Sequence, residues 1–200
     1  MQKITATKSL IFINFVVMLI LLWESQALNS VDIKVLKNFG GVHAGLEGWR
    51  TVTYMFLHAN IFHIVMNMIA LMDYGKKLEQ RIGSLGFILF YLVSGFVSGA
   101  CIFHFGSSEA LAVGASGAIC GLIGAELTFS WKYKNYSNET KRDFNINRFN
   151  VIFIILIGFI PGVSAIAHLG GLAFGVLFGL MYYKFKKNKF EEELLLHSFN

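Results

Sequence analysis

From Leu10 to Trp23 the chain reads LIFINFVVMLILLW, in which Asn14 is the lone polar side chain. A soluble helix would show an apolar stripe backed by a polar face. This run is apolar all round, which points to lipid as its surroundings. In lipid every backbone amide and carbonyl must be satisfied within the protein, and a helix does that unaided. Composition extends the point to the whole chain. It is 55% hydrophobic and 14% charged, with 20 Phe against a single Pro in 200 residues, whereas soluble domains are roughly a quarter charged. The expectation is one all-α membrane domain.

Six spans are expected, at about 9–25, 60–75, 85–104, 115–132, 148–160 and 163–183. A mixed linker and a half-polar stretch, GWRTVTYMFLHANIF, separate the first two. Of the 17 Lys and Arg residues, all but Lys34, Lys37 and Arg50 fall on one side of this arrangement. The positive-inside rule then puts both termini in the cytoplasm. The domain reading is a short cytoplasmic N-terminus over 1–8, a membrane domain over 9–184 and a cytoplasmic tail over 185–200. The first run also has the basic flank and apolar core of a signal peptide, with SQA as a passable cleavage site, but a retained span is the reading adopted. The net charge of +5 is explained by topology, so no nucleic acid is expected. Cys101 and Cys120 both sit inside apolar runs and read as small buried hydrophobes.

Polar side chains inside spans are expensive and face the bundle interior. His63 and Asn67 in span two, Ser116 in span four and His168 in span six stand out. Spans two, four and six all run inward, and these residues lie near their outer ends, so they share one depth. His63 and Asn67, spaced i, i+4, share a face. His168, Gly171, Gly175 and Gly179 form one narrow stripe; Gly117, Gly121 and Gly124 form another with Ser116 at its edge. Stripes of small residues let helices approach closely, close enough to bring Ser116 against His168.

A hydroxyl becomes a useful nucleophile beside a base, and imidazole suits that task. A triad would add a carboxylate. The outer acids, Glu24, Asp32, Glu47 and Glu109, all lie in linkers, so a Ser–His dyad is expected. The Ser116 backbone N–H, at a helix start, and the His63 and Asn67 side chains can donate to a developing oxyanion.

These residues resemble the rhomboid family of intramembrane serine proteases. The likeness is carried by GASG at Gly114–Gly117, HIVMN at His63–Asn67 and AHLGGLAFG at Ala167–Gly175. Trp49–Arg50 and EQRIGS at Glu79–Ser84 agree with two further motifs, and the similarity covers about 49–183. The resemblance implies a six-helix rhomboid bundle with Ser116 as nucleophile and His168 as base. His63, Asn67 and the Ser116 N–H would form the oxyanion hole, and Gly114 would keep the backbone close beside the nucleophile. Trp49 and Arg50 would brace a half-embedded loop, and Glu79 with Arg81 would form a structural cluster on the cytoplasmic side. Span five and a cap loop near Pro161–Ser164 would gate entry. Cys120 stands where some members carry an aromatic stacked on the histidine.

The implied partners are single-pass membrane protein substrates and the lipid bilayer, with no cofactor and no metal, and the implied residence is a bacterial inner membrane. HExxH and paired intramembrane aspartates are absent from the sequence. The main alternative is a catalytically silent rhomboid-like protein that binds membrane clients. Glu126, deep in span four, belongs to none of the motifs and reads as snorkelling or hydrogen-bonded near the inner leaflet.

Overall fold

A computed structural model of the chain describes residues 5–45, 47–160 and 162–198, with side chains as far as residue 186. Pro161, in the expected cap loop, lies outside the described residues, as do 1–4 and the last two residues of the tail. The architecture is all-helical. Its elements are α1 (Ala6–Glu24), α2 (Ile33–Asn38), α3 (Arg50–Thr53), α4 (Ile61–Ala70), α5 (Lys76–Phe105), α6 (Ser116–Tyr133), α7 (Asn138–Ile157) and α8 (Ala165–Ser198). A 3-10 turn over Tyr54–Phe56 follows α3, and a π turn over Leu71–Gly75 joins α4 to α5. Among the described residues, isolated β-bridges at Ser30–Asn60 and Val42–Ala112 tie the loops together.

Local chemistry sets the helix starts. Asp32, Asn60, Ser137 and Ser164 each accept a backbone N–H from the first turn of the helix that follows, at 2.6, 2.8, 3.1 and 3.3 Å. At α1 the side chain of Thr5 gives no cap. Glu79 serves instead, accepting from the backbone of Thr5, Ala6 and Thr7 at 3.0, 2.9 and 2.9 Å.

Among the described residues three stretches are long and apolar enough to cross a membrane: Ala6–Glu24, Ile61–Phe105 and Ala165–Lys186. The second doubles back. Gly83 sits at φ 81°, ψ 163°, a conformation open to glycine at little cost. In a straight helix Gly75 and Phe87 would lie about 18 Å apart along the axis. Here the Phe87 ring reaches within 3.1 Å of where a Gly75 Cβ would stand.

The helix α6 forms the centre of the bundle, with every residue buried except Ser116, Leu127, Trp131 and Lys132. Protein rather than lipid surrounds it, so it tolerates Glu126, Thr128 and Ser130 without the hydropathy of a lipid-facing span. The exposed faces of α1, α5 and α7 carry Phe12, Leu19, Leu85, Phe149, Phe153 and Leu156. Apolar exposure on that scale suits contact with acyl chains, and the protein is an integral membrane protein. The helix at the fifth expected span, about 148–160, is longer than its apolar run. Helix α7 begins at Asn138 behind a capping box formed by Ser137 and Thr140, so its first half is polar.

Candidate active site

The loop ahead of α4 is held by a buried cation. Arg50 is 8% exposed and donates to the carbonyls of Lys37 and Gly41 and to the Glu47 carboxylate, the last at 2.6 Å. Its guanidinium lies 4.6 Å from the Trp49 ring centre. Glu47 is solvent-exposed, and the hydrogen bond from Arg50 holds its carboxyl below the usual range. From this braced loop the chain passes through the 3-10 turn to Asn60, which caps α4 through the His63 N–H. That cap fixes the first turn of α4, the turn that presents His63.

Ser116 opens α6. The residue before it, Ala115, gives no side-chain cap, and an uncapped helix start presents its first amides to whatever lies in front. Gly114 sits at φ 121°, and its N–H donates to the Tyr54 carbonyl at 2.9 Å. A Cβ at Gly114 would stand 2.7 Å from both Cε1 and Nε2 of His63. Only glycine permits both the backbone angle and the close approach of that ring. The structure therefore brings His63 directly against the loop that leads into Ser116.

Close packing of α6 on α8 delivers His168. A Cβ on Gly171 would overlap the Gly117 carbonyl, and one on Gly175 would overlap the Gly121 carbonyl. The two glycine stripes face each other with backbones in contact. His168, 6% exposed, then places Nε2 3.0 Å from Ser116 Oγ. His168 Nδ1 is buried with no hydrogen-bond partner among the described residues. When Nε2 accepts from the hydroxyl, the ring proton resides on Nδ1.

Asn67 lies one turn below His63, is 7% exposed and donates Nδ2 to the His63 carbonyl at 2.9 Å. One amide hydrogen is thus held by its own helix. His58, fully buried, sets its ring edge-on to His63 with centroids 5.1 Å apart. Its five-residue offset from His63 suits no helical face, and the contact arises because a 3-10 turn and a loop separate the two. Cys120 is buried in the core one turn below Ser116.

At the other end of the bundle Glu79 and Arg81 have separate partners. Glu79 also accepts from the hydroxyls of Thr7 and Ser84, at 2.7 and 2.6 Å. Arg81 reaches Glu126 at 3.5 Å, with its guanidinium 4.3 Å from the Phe129 ring centre. That ion pair accounts for the acid in α6.

The Rhomboid domain family model matches residues 45–185. Over 151 residues the chain is 36% identical to RHOMBOID-like protein 6, mitochondrial, of Arabidopsis thaliana, an alignment covering 74% of this chain and 48% of that protein. It is 35% identical over 140 residues to Rhomboid-like protease 3 of Toxoplasma gondii, covering 68% of this chain and 52% of the relative. It is 35% identical over 178 residues to Rhomboid protease GluP of Bacillus subtilis, covering 84% of this chain and 33% of the relative. The chain thus spans about half or less of the length of these relatives. It belongs to the rhomboid family.

Proposed function

We propose that this chain is an intramembrane serine endopeptidase that cleaves transmembrane segments of single-pass membrane proteins. The observation that carries the proposal is the 3.0 Å approach of His168 Nε2 to Ser116 Oγ, at an uncapped helix start. In this reading His168 takes the Ser116 proton as the oxygen attacks the scissile carbonyl. The carbonyl oxygen becomes an oxyanion that accepts from the Ser116 N–H, His63 and Asn67. His168 then returns the proton to the leaving amine, and the Ser116 ester is hydrolysed by water with His168 as base. The residues require no cofactor, metal or carboxylate for these steps.

The membrane arrangement that goes with this chemistry has six spans over 9–184 and both termini in the cytoplasm, supported by the distribution of basic residues. The fold of the Ile61–Phe105 stretch at Gly83 fits two of those spans. Substrate enters from the bilayer past α7, where Asn147 and Ile154 are the buried residues of the helix. A bacterial plasma membrane is the residence that goes with this reading, with a Bacillus protein among the relatives.

The test combines a serine-directed fluorophosphonate with a cleavage assay. Label mapped to Ser116, and loss of cleavage in Ser116→Ala, are the expected results. A folded protein that takes no label and captures a transmembrane client uncut would instead be a silent client-binding protein.

A further inference from the structure

Tyr54 is 2% exposed, yet both of its polar groups have distant work. Its backbone carbonyl accepts two N–H donors, from Leu57 at 3.2 Å and from Gly114 at 2.9 Å. The first closes the 3-10 turn that leads to α4. The second holds the loop two residues before Ser116. Its phenol O–H crosses to α5 and donates to the Gly95 carbonyl at 2.9 Å.

The ring is wedged between these ends. A Cβ on Gly99 would stand 2.8 Å from Tyr54 Cε1, and one on Gly117 would stand 2.8 Å from the phenol oxygen. A single side chain therefore touches α5 and the residue after Ser116, while its backbone holds the residue two before. The same segment runs on to Asn60, whose cap fixes His63. The loop carrying the nucleophile and the helix carrying the side-chain oxyanion donors thus hang on one residue.

We infer that Tyr54 is a positioning residue, a strut that sets the height of the Ser116 N–H against His63 by fixing the 114–117 segment to α5. The inference rests on the protease reading above. Reacting groups displaced by about 1 Å can lose about a hundredfold in rate, so a strut at this point acts on turnover more than on binding.

The test uses the full chain in proteoliposomes and the variant Tyr54→Phe, which keeps the ring and the backbone carbonyl and removes the phenol donor. Three quantities are read: kcat and KM on a transmembrane substrate, the rate of Ser116 labelling by a fluorophosphonate, and the Tm. The expected result is a fall of about tenfold in kcat and in labelling, with KM unchanged. Thr128→Ala is the matched control. It removes another buried hydroxyl, bonded to the Gly124 carbonyl at 3.0 Å, about 18 Å along α6 from Ser116. It should lower Tm to a similar extent and leave kcat as in wild type.

Wild-type kcat and labelling in Tyr54→Phe overturn the inference and leave the protease reading standing. So does a loss of kcat in Thr128→Ala that matches its loss of Tm, because the effect would then follow stability alone. A wild-type protein that neither labels nor cleaves overturns the protease reading, and this inference with it.

Discussion

The Asn67 side-chain amide donates to the His63 carbonyl one turn earlier, at 2.9 Å, and this bond fixes the rotamer of Asn67 before any ligand arrives. A preset donor stabilises developing charge without reorganising. Asn67→Ala is expected to reduce turnover by about ten- to a thousandfold with little change in KM. Steady-state kinetics on a transmembrane substrate check this, and an unchanged kcat would remove Asn67 from the site.

Ser116 and His168 act as one unit in the proposed mechanism, so their losses should not add. Ser116→Ala, His168→Ala and the double variant should each lose cleavage by about a thousandfold or more. Additive losses in the double variant would show that the two side chains work separately.

Gly175 faces the Gly121 carbonyl with no room for a side chain. Gly175→Val must push α8 from α6, and overpacking of this kind destabilises by about 1–3 kcal/mol. Because the same contact carries His168 to Ser116, activity should fall at temperatures where the protein is still folded. Thermal unfolding and cleavage measured together check this. A variant with lowered Tm and full activity would show that the dyad tolerates helix separation.

Glu47 supplies a pH-dependent contribution of known sign. Its carboxyl is held below the usual value by the Arg50 hydrogen bond, so the stabilisation is present above the ordinary carboxylate range. It is lost as pH falls through the lowered folded value. Wild type should exceed Glu47→Gln in Tm by a small, salt-sensitive margin above the ordinary carboxylate range, and the margin should shrink as pH falls through the lowered folded value. A margin that widens on acidification would reverse the assignment.

The position of the site was legible because lipid makes polar side chains conspicuous. His63, Asn67, Ser116 and His168 stand out in apolar runs, and the glycine stripes name the faces that meet. Tyr54 and His58 do not stand out, since their stretch is half-polar and its 3-10 turn breaks the helical period. The polar half of α7 was hidden for a related reason: Asn138–Asn147 lacks the apolar run that marks a span. Its helix is instead held through Asn147, which bonds Ser130 and the Tyr74 hydroxyl at 3.0 and 3.2 Å. Glu126 could be picked out from the sequence as an acid deep in an apolar run. Its partner could not, because Arg81 comes from an element that folds back at Gly83.

The cap on α1 has a consequence in time. Thr7 and the carboxylate that holds it are 72 residues apart in the chain. At roughly 5–20 residues per second, Thr7 is synthesised about 4–14 seconds before Glu79 exists. Until then the leading amides of α1 lack the carboxylate that accepts from them. A nascent chain halted before Glu79 would carry α1 without this fastening.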